Sequence, residues 1–102
     1  MKYEVRKSPL HGKGVFAVKT IRKGSLIGIY EGRPTKRNGT HVLWLQEQDD
    51  SWTGLKVTND LRFVNHSRVP KAEPWGTELY ALKTIRPGEE ITFDYGDDFA
   101  DV

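Results

Sequence analysis

A mainly β fold is predicted by three observations. Apolar runs are short and punctuated by Gly, Pro, Asn and Asp, the residues that reverse a chain. No window holds a helical apolar period through three turns. A turn-like hexapeptide, Lys19-Thr20-Ile21-Arg22-Lys23-Gly24, returns as Lys83-Thr84-Ile85-Arg86-Pro87-Gly88, each time ahead of a strand-like run.

Taken in order, the expected strands begin with Tyr3–Arg6 and with Val15–Val18, which leaves the glycine loop His11-Gly12-Lys13-Gly14. Leu26–Tyr30 runs from the first hexapeptide to Gly32. Val42–Gln46 and Leu55–Val57 flank a polar stretch rich in Asp, and a single helical turn fits around Asn59–Phe63. Glu78–Leu82 precedes the second hexapeptide, and Glu90–Phe93 runs from it towards Gly96. The repeated hexapeptide reads as one useful turn used twice, since Gly supplies positive φ and the Arg-Lys-Gly or Arg-Pro-Gly corner reverses the chain. Two copies are too few for a solenoid.

Composition narrows the function classes. At 102 residues the chain is expected to be a single domain, residues 1–102, with 36% apolar residues. Without cysteine there is no disulfide, no thiolate zinc site and no cysteine nucleophile. Sixteen basic residues against fourteen acidic give +2, a balance that disfavours direct nucleic-acid binding. No run reaches the length of a membrane span and no signal-peptide core follows Met1, so no membrane partner is expected. The expected location is intracellular and cytoplasmic, or secretion into a host without a classical signal. His11, His41 and His66 lack paired ligand spacing, and no metal site is expected.

Chemistry concentrates in three blocks. His11-Gly12-Lys13-Gly14 lacks the third Gly of a dinucleotide fingerprint and leads into a strand. It is either a plain hairpin loop or a loop whose bare backbone lies against a ligand. Arg62-Phe63-Val64-Asn65-His66-Ser67 places an amide and an imidazole in an apolar setting, where every polar atom needs a partner. Asn65 can be a turn amide and His66 a satisfied core histidine. Gly88-Glu89-Glu90-Ile91-Thr92-Phe93-Asp94-Tyr95-Gly96 ends a strand in a phenol. Asp94, Asp97, Asp98 and Asp101 form either a solvated tail or an acidic lip that draws in a basic, lysine-bearing peptide.

In their order and over nearly the whole chain, these blocks resemble the motifs of the SET domain, the lysine methyltransferase module. The resemblance implies the SET (β-clip-like) fold of small curved sheets, with a C-terminal segment threaded as a pseudoknot. It implies a protein-lysine N-methyltransferase that moves a methyl group from S-adenosylmethionine to a lysine ε-amine of a protein or peptide. The residues that match the family's cofactor positions are Lys13, Gly14 and Val15 by their backbone, Asn65, and the backbone of His66. Tyr95 matches the catalytic tyrosine. Phe93 leaves the same strand face as Tyr95 and would border the lysine channel, or be core. Phe99, just past the Tyr-Gly motif, would act as a lid over the cofactor.

The chain departs from the family in two places. Ser67-Arg68-Val69-Pro70-Lys71 stands where many relatives continue Cys-x-Pro-Asn, and no cysteine-rich segment follows Gly96. The zinc-bound flap of those relatives is therefore not expected, which would leave Phe99 or a second subunit, in a homodimer, to cover the cofactor. Only Glu31–His41 stands where many relatives carry a longer insert, so the substrate groove is expected to be shallow or completed by a partner. Two other readings remain: a non-enzymatic small β-barrel that binds nucleic acid through Lys36, Arg37, Trp44, Trp52 and Trp75, and a catalytically degenerate SET-like interaction module.

Overall fold

The computed structural model describes residues 2–39 and 41–95. Its strands form three small sheets. The first holds β1 (Tyr3–Lys7), β2 (Lys13–Ala17), β7 (Asn65–His66) and β10 (Glu90–Phe93), in the order β1-β2-β10-β7. The second holds β3 (Leu26–Ile29), β8 (Ala72–Trp75) and β9 (Glu78–Ala81), with β9 central. The third holds β4 (Gly32–Thr35), β5 (Val42–Gln46) and β6 (Trp52–Val57), with β6 central. The expected helical turn is a 3₁₀ turn, Asp60–Phe63. No helix among the described residues is long and apolar enough to cross a membrane.

The strands over Val42–Gln46 and Glu90–Phe93 have the expected bounds. Three strands, β4, β7 and β8, were not expected. Two of these carry a proline, Pro34 or Pro74. Proline demotes a run in a sequence-based reading but is tolerated on an edge strand, and β4 and β8 are both edges. The third is only two residues long and exists because β10 offers it a partner. Its pairing is parallel, Thr92 with Asn65 and Phe93 with His66, whereas β10 runs antiparallel to β2 on its other side.

The repeated hexapeptide does more than turn the chain twice: the two copies bind each other. Ile21 and Ile85 exchange both backbone hydrogen bonds, each 2.8 Å, and are both buried. Gly24 donates to the Ala81 carbonyl and Gly88 to the Ala17 carbonyl, again at 2.8 Å each. Both glycines have left-handed φ, 84° and 87°, a region a side chain rarely enters. The two turns thus form a local two-fold, joining β9 to the start of β3 and β2 to the start of β10. The core closes around it, with Val15, Ile27, Leu61, Val64, Leu79 and Ile91 among its buried members.

Candidate active site

The ends of β10 and β3, the start of β2, the 3₁₀ turn and the β5–β6 hairpin converge on one open cleft of about 1050 Å³. Of the residues singled out by sequence, Lys13, Asn65, His66, Phe93 and Tyr95 line it. Gly14 and Val15 do not. Val15 is fully buried at the centre of the first sheet, opposite Val5 on one side and Ile91 on the other. Phe99 lies outside the described residues, as do Gly96, Asp97, Asp98 and Asp101.

The two loop glycines have different reasons. Gly12 has φ of 45°, and an added Cβ would meet nothing within 4 Å. Its backbone conformation favours glycine, and the space beside it is open. Gly14 has no such φ, but a Cβ there would sit 2.3 Å from Glu90 Oε2. The side chain is missing so that a carboxylate can cross the strand.

Asn65 is 7% exposed, and its Nδ2 donates to the carbonyls of His11 (3.1 Å) and Lys13 (3.0 Å) and to Glu90 Oε2 (2.8 Å). All three partners are acceptors, which fixes the nitrogen on that side of the amide. Asn65 therefore ties the glycine loop to β7 and β10. Its carbonyl oxygen is the group left to offer a ligand.

His66 acts through its side chain as well as its place in the ladder. The backbone N–H of Tyr95 donates to His66 Nδ1 at 2.9 Å. That nitrogen is the acceptor in this bond, which orients the ring. Asp94 Oδ1 lies 3.7 Å from the same nitrogen. Beyond the end of β10 an imidazole takes the place of a ladder carbonyl, which holds the Tyr95 backbone where regular pairing has stopped.

Three rings form one wall of the cleft. Phe93 packs 4.7 Å from Tyr95 and edge-on to Tyr30 at 6.5 Å, and Tyr95 lies 5.1 Å from the His66 ring. The Tyr95 hydroxyl donates to the Val64 carbonyl at 2.5 Å, and burial pushes its pKa up to about 12. The phenol is therefore neutral at physiological pH. Tyr30 is 5% exposed and its hydroxyl has no hydrogen-bond partner among the described residues. Burial raises its pKa strongly, with the nearby Tyr95 adding to the effect. A buried hydroxyl without a partner costs free energy.

The far wall is cationic and aromatic. Around Phe63 stand Arg62 (4.2 Å from the ring centre), Lys13 Nζ (5.4 Å) and the His41 ring (5.6 Å). His41 has positive φ, 63°, unusual for a side chain of its size, and its Nδ1 contacts the Arg62 carbonyl at 2.9 Å. Among the described residues no three His, Asp or Glu side chains group as a metal cage.

Sequence reasoning missed Tyr30, Glu90 and the imidazole of His66. The first was within reach. After the hexapeptide echo each run is followed by a tyrosine, Tyr30 six residues past Gly24 and Tyr95 seven past Gly88. The other two carry no local signal, because their partners are distant in the chain.

The SET domain family profile matches residues 12–96. A histone-lysine N-methyltransferase EZH2 of Chaetomium thermophilum is 29% identical over 86% of this chain, which covers 8% of that relative. The methyltransferase domain of human histone-lysine N-methyltransferase SETMAR superposes with a TM-score of 0.80, at 24% identity, over 97% of this chain and 46% of that one. A Chaetomium thermophilum Polycomb Repressive Complex 2 chain, from a structure bound to S-adenosylmethionine, gives 0.76 at 22% identity, over 97% of this chain and 16% of that one. The chain spans a small part of the relatives it matches. Its motifs nonetheless fall, in order, inside a family match that runs from the glycine loop to the Tyr-Gly end of the last strand, and the chain belongs to the SET domain family.

Proposed function

We propose that the cleft binds S-adenosylmethionine and a lysine side chain, and that the chain is a protein-lysine N-methyltransferase. The observation that carries this reading is the Tyr30–Phe93–Tyr95 wall. It presents a buried neutral phenol and an orphan hydroxyl to one space, beside a glycine loop held by Asn65. The residues fit the cofactor: the cleft is large enough for it and a lysine chain, Gly12 leaves room at the loop, and the Tyr30 hydroxyl lacks a partner. When bound, S-adenosylmethionine supplies an activated methyl group on a sulfonium.

The protein's own task is alignment and desolvation. Asn65 would offer its carbonyl oxygen to a ligand N–H, and Lys13 and Arg62 would favour an anionic end. A lysine amine must lose its proton before it reacts. At a pKa of about 10.4 roughly one in a thousand is neutral at pH 7, a barrier of about 4–5 kcal/mol. The ring wall lowers that cost by disfavouring the charged amine. Tyr95 is too weakly acidic to leave a phenolate for general-base work. Its oxygen would instead accept from the amine and face the transferring methyl, while its O–H goes on donating to the Val64 carbonyl. The Tyr30 hydroxyl would bond the same nitrogen or a water beside it. Phe93 has no hydroxyl to hold such a water in the lysine channel, which favours addition of more than one methyl group.

The expected substrate is a lysine in a basic peptide segment, and a second copy of the chain is the proposed cover for the cofactor. The parallel pairing of β7 with β10 supports the threaded pseudoknot reading. Membership of the SET family removes the reading as a small nucleic-acid-binding barrel, and a degenerate module is separated by experiment. Calorimetry should register one S-adenosylmethionine bound per chain. A folded chain with no heat of binding would defeat the reading, and binding without methyl transfer would favour the degenerate module.

A further inference from the structure

We infer that Glu90 is a positioning residue: it sets the cofactor side of the cleft by holding the Ser8–Gly14 loop and the Asn65 amide in one arrangement. The inference rests on the methyltransferase reading above.

Glu90 opens β10, at the opposite end from Phe93, and does not line the cleft. Its carboxylate gathers donors from two distant parts of the chain. Ser8 Oγ lies 2.8 Å from Oε1 and 2.9 Å from Oε2, and Asn65 Nδ2 lies 2.8 Å from Oε2. Ser8 is 8% exposed and works in both directions. It gives its proton to the carboxylate, and its oxygen accepts from the Leu10 N–H at 2.9 Å. The Ser8 backbone closes the loop by donating to the Gly12 carbonyl at 2.8 Å. Gly14 clears the path, since any Cβ there would collide with Oε2.

The network is directional. With Glu90 and the two loop carbonyls on its nitrogen side, the planar Asn65 amide has one orientation, and its oxygen faces away from them. Without the carboxylate, Nδ2 keeps only the loop carbonyls, and the loop itself loses the anchor that Ser8 provides. Hydrogen bonds to a charged acceptor are the stronger kind, so Glu90 is the dominant tie among these contacts. It touches neither of the residues that face the amine, Tyr30 and Tyr95. Its removal should therefore weaken cofactor binding and leave the chemical step nearly intact.

The test uses the full chain with Glu90→Leu, Glu90→Gln and Ser8→Ala. Three readouts are compared: the Kd for S-adenosylmethionine, kcat at saturating cofactor with a lysine peptide, and hydrogen exchange at the Leu10 amide. Glu90→Leu should raise Kd by about tenfold or more while kcat stays within about threefold of the wild type. Glu90→Gln keeps one acceptor for Asn65 and should recover most of the affinity. Ser8→Ala should move Kd the same way by less, and it carries the test if the leucine variant does not fold. Wild-type Kd in folded Leu and Ala variants would overturn the inference, as would a fall in kcat with Kd unchanged. A wild-type chain that binds no S-adenosylmethionine would defeat the methyltransferase reading instead. Leu10 exchange then still decides the clamp: faster exchange in Glu90→Leu supports it, and unchanged exchange refutes it.

Discussion

Strands β3 and β10 leave the same turn and reach the same cleft, but they finish it differently. β3 is an edge strand, and at its end the Tyr30 N–H continues the ladder to the Thr77 carbonyl at 2.7 Å. Its hydroxyl is buried with no partner among the described residues. β10 is an inner strand between β2 and β7, and at its end the ladder stops. The Tyr95 N–H goes to an imidazole and its hydroxyl to the Val64 carbonyl. One tyrosine is fixed by its backbone and ends in a buried hydroxyl with no partner among the described residues, and the other is tied at both ends. On the proposed reading, the tied phenol would be the fixed reference at the reacting centre, and the unpartnered Tyr30 hydroxyl would be the group that bonds the ligand.

The comparison breaks most sharply at Tyr95. Tyr95→Phe keeps the ring contacts with Phe93 and His66 and removes the tied oxygen. Methyl transfer should fall by about tenfold to a hundredfold, with cofactor affinity little changed. Steady-state rates and calorimetry on the same preparation check both halves, and unchanged turnover would remove Tyr95 from the mechanism. Next in size is Asn65→Ala, which removes the tie between the loop and β10. Cofactor binding should weaken by about 1–3 kcal/mol, and equal affinity in a folded variant would show that the amide is not at the binding site.

Tyr30→Phe tests the unpartnered hydroxyl. It removes an unpaired buried hydroxyl, so the free chain should be as stable as the wild type or more stable, by up to about 1 kcal/mol. Transfer should slow severalfold. Denaturant melts and initial rates together decide it. A loss of stability would mean that the hydroxyl has a partner within the fold.

Phe93, between the two tyrosines, sharpens the comparison further. Phe93→Tyr adds a hydroxyl able to hold a water in the proposed lysine channel, and products should shift from dimethyl- and trimethyl-lysine towards monomethyl-lysine. A wild type that stops at monomethyl-lysine after long reaction would contradict the argument. The smallest effect is on pH. The folded chain holds the Tyr95 proton up to about pH 12, whereas an ordinary phenol gives it up near 10.0. Across that window the unfolded chain binds fewer protons than the folded one, so stability falls as pH rises. Tyr30 contributes in the same direction. Chemical denaturation at several pH values should show the fall, and Tyr95→Phe should make it shallower.

How much of this was legible before folding follows from the range of each interaction. The glycine loop, the Asn-His pair and the Asp-Tyr end are local patterns, and the cleft does gather Lys13, Asn65, His66, Phe93 and Tyr95. The strands over Val42–Gln46 and Glu90–Phe93 were legible because apolar runs lie between turn residues. β7 was not, because two residues make a strand only when β10 pairs with them. Glu90 was hidden for the same reason. In sequence it is one of two adjacent glutamates, and only the fold brings Ser8 and Asn65 to its carboxylate and clears Gly14 from its path. The His66 imidazole reads as a core histidine until β10 delivers the Tyr95 N–H to it. Val15 shows the reverse case. Its motif position marks it as a backbone contact, while its side chain belongs to the core.

The central claim is that the two tyrosines and Phe93 enclose a methyl-accepting amine. Mass spectrometry of a basic lysine peptide, incubated with the chain and S-adenosylmethionine, tests it most directly. The account predicts added methyl groups on the lysine, reaching dimethyl or trimethyl, and their near loss with Tyr95→Phe. A folded, cofactor-binding chain that leaves every such lysine unmodified, or that methylates equally well with Tyr95→Phe, would contradict it.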